Sequence, residues 1–169
     1  VDNQNISLKL LKLIEGIRLD VVIEVDVVLG SDAPHLNELH KYAGKQERKI
    51  QIHAGINNID ELMWQSDIAI GAAGGTSWER CAMGLPTLLI IYADNQKYNS
   101  SVLIKHQCAK LLGDIRAYDQ VDWADIINNV IIDISWLKFA SQNALALCDG
   151  GGADRVLERL LKLSELKGD

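Results

Sequence analysis

The stretch Asp67-Ile-Ala-Ile-Gly-Ala-Ala-Gly-Gly-Thr-Ser-Trp-Glu-Arg-Cys-Ala-Met-Gly-Leu-Pro86 constrains the fold more than any other part of the chain. It reads as strand, glycine turn, helix and stop. Ile68 and Ile70 belong to a short apolar run of strand type. Gly74 and Gly75 follow, and then Thr76, a good helix N-cap. Trp78, Cys81, Ala82 and Leu85 recur at helical spacing, and Gly84 with Pro86 ends the helix. A glycine turn that opens a helix after a strand suits an anion. The first N–H groups have no acceptor within the helix, the helix dipole favours negative charge there, and glycine lets a phosphate approach the backbone. A plain tight turn explains the same residues equally well. No Gly-Lys-Ser/Thr follows, so the turn is not a P-loop, and the dinucleotide G-x-G-x-x-G pattern is absent.

The rest of the chain alternates strands with helices. A helix is expected over 5–17, with Ile6, Leu10, Leu13 and Ile17 on one face and Asn5 or Asn3 as its cap. A β-branched strand covers 21–29 and a short helix runs from Pro34 to Tyr42, stopped by Gly44. The next strand is Lys49–His53, and Asn58 caps a helix over Ile59–Trp64. After the central motif come a strand over Thr87–Tyr92 and a helix over Gln96–Gln107 capped by Asp94 or Asn95. A short strand around Ala109–Leu112 follows, and then helices over Asp122–Ile131, Ile134–Leu147 and Ala153–Leu163. Asp149–Gly152 breaks the last two. This order predicts an α/β fold, a parallel sheet with helices on both faces, as one domain over 1–169. In such sheets ligands sit beyond the carboxyl ends of the strands, so the loops 30–33, 53–57, 72–77 and 93–96 are expected to line one edge.

Composition narrows the function. The 169 residues carry a net charge of -6, which argues against nucleic acid and anionic membrane surfaces as partners. The apolar share of 48% suits a packed core. No apolar run is long enough for an integral membrane segment. Cys81, Cys108 and Cys148 have no metal-ligand spacing and sit among apolar residues, so free buried thiols in a reducing cytoplasm are expected. No metal and no cofactor are expected.

Several polar residues admit two readings. Thr76-Ser-Trp-Glu79 has capping-box spacing, yet a first-turn carboxylate also suits the vicinal diol of a ribose. Asp94-Asn95-Gln96 is either a helix start or a cluster that reads sugar hydroxyls. His53 ends a strand on the ligand side, and His106 is read as structural. Glu24 and Asp26 lie at the start of a strand and read as solvated charge.

Taken together, Ala73–Thr87, Ala93-Asp-Asn-Gln96 and Asp149-Gly-Gly-Gly-Ala153 resemble the carboxyl-terminal half of family-B, two-Rossmann-domain nucleotide-sugar enzymes. The likeness is closest to the UDP-sugar hydrolases of pseudaminic acid and spore-coat polysaccharide synthesis. It extends to the peptidoglycan N-acetylglucosaminyltransferases. The resemblance implies a Rossmann-like domain that binds UDP or a UDP-sugar. Gly74, Gly75, Thr76 and Ser77 would meet the diphosphate, and Glu79 would hold the ribose. Ile56 would pack near uracil, while Asn95 and Gln96 would face the sugar. The catalytic histidine of the hydrolases lies on an amino-terminal domain, and of the glycine loop ahead of the first helix only Val1-Asp2 is present here. The expected function is therefore the nucleotide-binding half of a UDP-sugar hydrolase, inactive alone. The alternatives are half of a glycosyltransferase or a non-catalytic α/β binding module.

Overall fold

The computed structural model describes residues 2–17 and 21–165. Val1 lies outside them. Five strands, β1 (Val25–Leu29), β2 (Ile50–Ala54), β3 (Ala69–Ala72), β4 (Thr87–Ile91) and β5 (Ala109–Asp114), alternate with helices. The helices are α1 (Ile6–Gly16), α2 (Leu36–Ala43), α3 (Ile59–Gln65), α4 (Thr76–Ala82) and α5 (Gln96–Lys105), with α6 (Trp123–Ile131), α7 (Ile134–Leu147) and α8 (Gly152–Glu165) closing the chain. A 3-10 helix over Ile115–Gln120, which sequence periodicity does not reveal, joins β5 to α6. Every strand pairing is parallel. The pairings form two groups, β1 with β2, and β3–β4–β5.

The core is built on both faces of β4. All five of its residues are buried, as a central parallel strand requires. Leu88 and Ile90 face one side and meet Ile6 and Ile17 of the α1 segment and Trp123, Ile127 and Val130 of α6. Leu89 faces the other side with Cys81 of α4, Leu103 of α5 and Ala144 of α7. A buried side chain of this size contributes about 1.5–3 kcal/mol by leaving water, so β4 anchors the domain. The expected α/β architecture, a Rossmann-like parallel sheet with helices on both faces, is what the chain adopts. Cys81 and Cys108 are free and buried together, and Cys148 packs at their margin.

Local chemistry explains where the elements begin and end. Asp2, rather than Asn3 or Asn5, caps α1. Its two carboxylate oxygens accept the N–H groups of Ile6 at 2.7 Å and Ser7 at 2.8 Å. Asn5 turns into the left-handed region at φ 51° and sends its side chain to Glu38 instead. β1 begins at Val25, four residues later than the β-branched run suggests, and Val22 is 91% exposed. With no neighbour to bond, β propensity does not make a strand. α4 ends as predicted: Gly84, at φ +65°, donates to Cys81, and Leu85 donates to Arg80, so both final carbonyls are satisfied.

Candidate functional site

Within each strand group the strands run parallel, so loops 30–33 and 53–57 share one end of the first group, and loops 72–77 and 93–96 share one end of the second. After β3 the chain passes Ala73 and Gly74 and enters α4. Gly75 occupies the N-cap position with φ -56° and ψ -42°, and Thr76 is the first helical residue. This corrects the expectation that Thr76 caps the helix. It also dissolves the capping box: neither side chain hydrogen-bonds the helix start, and Glu79 is left exposed with no hydrogen bond among the described residues. The structural reason for a carboxylate at this position falls away.

Gly74 and Gly75 carry a second signal. Neither has a positive φ, and a Cβ built on either would meet nothing within 4 Å. Their backbone is one that any residue adopts, and the space beside them is open. The fold therefore does not require glycine at either place. The N–H groups of Gly74, Gly75 and Thr76 find no acceptor among the described residues. Three adjacent donors are thus unbonded beside the open space at the two glycines.

Ser77 is placed differently from the other three. It is 2% exposed, and its hydroxyl donates to the Ala72 carbonyl at 3.2 Å. Arg80, one turn further on, donates to the same carbonyl at 2.8 Å and to the Ser77 hydroxyl at 3.2 Å. The pair locks α4 onto the end of β3. Burial pulls the Arg80 guanidinium below its ordinary pKa, and its Nε has no partner among the described residues. Sequence reasoning missed Arg80. The one available signal was its spacing from Ser77, three residues along a helix, which is also the spacing of any exposed pair.

At the end of β4, Gln96 folds back, and its Oε1 accepts the Tyr92 N–H at 2.9 Å. Its amide nitrogen has no described partner. Asn95 is exposed, caps α5 by backbone position only and makes no described side-chain hydrogen bond. Asp94 does not cap either: it pairs with Lys97 at 2.7 Å and Arg116 at 3.1 Å, which hold its carboxyl below the usual range. Asn99 of α5 donates to the Ala73 carbonyl at 3.4 Å, tying this corner to the glycine turn. Ile56 follows Gly55 at the end of β2 and is half-buried.

A cleft of about 510 Å³ lies beside α4. Ile59 and Met63 of α3, Trp78 and Glu79 of α4, and Cys148 and Arg155 line it. Glu79 is thus brought together with the Asp149–Ala153 segment. Ile56, Asn95 and Gln96 stand outside the cleft. Arg155 forks onto both oxygens of Asp149 at 2.7 and 2.9 Å, which lowers that carboxyl to about 2. His53 is engaged by Asp26 at 2.6 Å, and Glu24 by Lys49 at 2.6 Å, so neither acid is merely solvated. Among the described residues no group of three or more His, Cys, Asp or Glu side chains is arranged to hold a metal ion. No described helix is long and apolar enough to cross a membrane.

Residues 7–122 match the family described as the glycosyltransferase family 28 C-terminal domain. One relative is the UDP-N-acetylglucosamine--N-acetylmuramyl-(pentapeptide) pyrophosphoryl-undecaprenol N-acetylglucosamine transferase of Campylobacter fetus subsp. fetus (strain 82-40), 31% identical over 111 residues, covering 63% of this chain and 31% of the relative. The enzyme of the same name from Helicobacter pylori (strain Shi470) is 36% identical over 81 residues, 45% of this chain and 23% of that protein. That of Helicobacter acinonychis (strain Sheeba) is 43% identical over 56 residues, 31% of this chain and 16% of its own length. The chain thus spans less than a third of the relatives it matches. These relatives are transferases, so the expectation of a UDP-sugar hydrolase of pseudaminic acid or spore-coat synthesis gives way to the transferase alternative. The family match covers more than half of the chain and includes the glycine turn, α4, α5 and all five strands: the chain belongs to the glycosyltransferase family 28 C-terminal domain family.

Proposed function

We propose that this chain is the donor-nucleotide half of a glycosyltransferase that uses UDP-N-acetylglucosamine. The observation that carries the reading is the glycine pair. Gly74 and Gly75 are not needed by the backbone or by packing, and three unbonded N–H groups lie beside them. A diphosphate that must touch the backbone accounts for both facts. The relatives' names supply the donor, a UDP-sugar.

In this reading Gly74, Gly75 and Thr76 hold the diphosphate through their N–H groups. The buried Ser77 takes part through the helix it fixes, not through its hydroxyl. Glu79 accepts the ribose hydroxyls from the rim of its cleft. Ile56 supports the uracil, and Asn95 and the free amide nitrogen of Gln96 face the sugar. As the glycosidic bond breaks, charge builds on the departing UDP, and fixed N–H donors stabilise it without reorganising. The acceptor and the residues that activate it belong to the part of the enzyme outside this chain.

Calorimetric titration tests the reading. The chain should bind UDP with a Kd on the order of 0.1–1 mM and CDP more weakly. Gly75→Val should fold with an unchanged melting temperature, because its φ and ψ suit valine in a helix start and the space is open. It should also lose UDP binding. Retained affinity in the folded variant would place the diphosphate elsewhere and overturn the proposal.

A further inference from the structure

Among the described residues Arg80 is the one charged side chain that the fold buries, at 7% exposure. Arg48, Arg116 and Arg155 each pair with an acid. Arg80 pairs with none among the described residues. Glu79 precedes it in sequence, but adjacent positions on a helix do not face each other, and Glu79 lines the cleft whereas Arg80 does not.

The interior is shaped around this guanidinium. Nη2 uses its protons on the Ala72 carbonyl at 2.8 Å and the Ser77 hydroxyl at 3.2 Å. A Cβ on Gly71 would lie 2.7 Å from Nη1. Gly71 has no positive φ, so the strand itself does not ask for glycine there; the guanidinium does. Nε is buried with no partner. Clamping Ala72 to Ser77 needs donors and no charge. An uncharged amide side chain could supply them without leaving an unpaired cation inside the protein, where such a charge is costly. Burial pulls the pKa of Arg80 down, as it does for a cation that lacks a partner. The hydrogen bonds are thus explained within the chain, and the charge is not.

Placement explains the charge. Ala72 is the last residue of β3, and Ser77 directly follows Thr76. Arg80 therefore holds both ends of the loop 73–76, which carries the unbonded N–H groups of Gly74, Gly75 and Thr76. We infer that Arg80 is a positioning residue for the diphosphate of the donor: it fixes the two ends of this loop and sets a permanent positive charge behind its free donors. The inference rests on the donor-nucleotide reading and deepens it. A charge held in the interior is screened less than one on an exposed side chain. This one is locked in place before any ligand arrives, so it stabilises the charge that builds on a departing diphosphate without reorganising. What Arg80 adds to affinity should grow with the charge of the ligand and vanish for a bare nucleoside.

NMR titration of the chain with UDP and with uridine tests this. Arg80→Gln removes the charge and keeps an amide donor for Ala72. It should weaken UDP binding about tenfold or more and leave uridine within about twofold. Arg80→Lys restores the charge and should return UDP to within about threefold of the wild-type chain. A second reading needs no variant. The Nε–H signal of Arg80 should shift on addition of UDP and stay in place with uridine. Equal losses for both ligands in Arg80→Gln would show a clamp without an electrostatic role and overturn the inference. So would unchanged UDP affinity in folded Arg80→Gln, or Arg80→Lys as weak as Arg80→Gln. If Arg80→Gln does not fold, an Nε–H signal that ignores UDP overturns it. In each of these cases the wild-type chain still binds UDP, and the donor-nucleotide reading stands. A wild-type chain that binds no UDP overturns that reading and this inference with it.

Discussion

Glu79 is the residue whose role is most open to a clean measurement. It is exposed and makes no described hydrogen bond, so removing its charge should leave stability within about 0.5 kcal/mol. Glu79→Gln should weaken UDP binding by more than about tenfold, or 1.4 kcal/mol, in a calorimetric titration. A fall in melting temperature with affinity held would return it to a helix-start role. Tyr92 offers a test in pH. Burial, with a smaller push from Asp2, raises its phenol from 10.0 to about 12. The folded state then keeps a proton that the unfolded state gives up, so the contribution is whole below pH 10.0 and drains away as pH climbs toward about 12. Thermal melts across that window should fall, and Tyr92→Phe should flatten part of the fall. Tyr42 is raised as well and accounts for some of the remainder. An identical slope in Tyr92→Phe would show that this phenol does not sense its burial.

At the scale of elements, β5 and α6 meet through one tight contact. A Cβ on Gly113 would lie 2.6 Å from Trp123 Nε1 and 2.9 Å from its Cε2. Trp123 is 2% exposed, and close packing around a buried indole resists its displacement. Gly113→Ala should therefore cost about 1–3 kcal/mol in urea unfolding with little change in the slope of the transition. A neutral result would show that the indole can move. This contact also marks where sequence reading stops. Strands β2 to β5 and helices α4 to α7 were legible because their caps, stops and periodicities are local: Asp122, Asp133, Gly84 and Pro86 act within a turn of where they stand. Some misses are local, such as the caps expected of Thr76 and Asp94, but the larger ones are not. Val21–Glu24 carries strand residues but pairs with no neighbouring strand. Asp2 reaches the helix start across a turn that Asn5 only makes possible. Arg80 reads as a surface cation until β3 is laid beneath it. The site divides in the same way. The glycine turn, Glu79 and Asn95 were legible as residue types in a spacing, whereas the inward commitment of Ser77 depends on Ala72 and Arg80 being brought to it.

Considered whole, the molecule has a firm centre and an uncovered end. β4 and its helices are sealed, whereas α8 carries Val156 at 61%, Leu157 at 56% and Leu160 at 59% exposure along one stripe. Its polar positions balance, with Arg155, Arg159 and Lys162 set against Asp154, Glu158 and Glu165. Removing the chain from Gly152 onward should move the melting temperature by no more than about 2 °C, because those side chains leave water only partly. A large drop would show that the helix supports the core. The stripe has a consequence for the helix itself. Fourteen residues is close to the length at which a solitary helix is marginal in water. Its order is therefore conditional. Circular dichroism of the peptide alone should report mostly coil, and limited proteolysis should cut first in the Asp149–Gly151 hinge, releasing the segment as the one detachable piece of an otherwise resistant body.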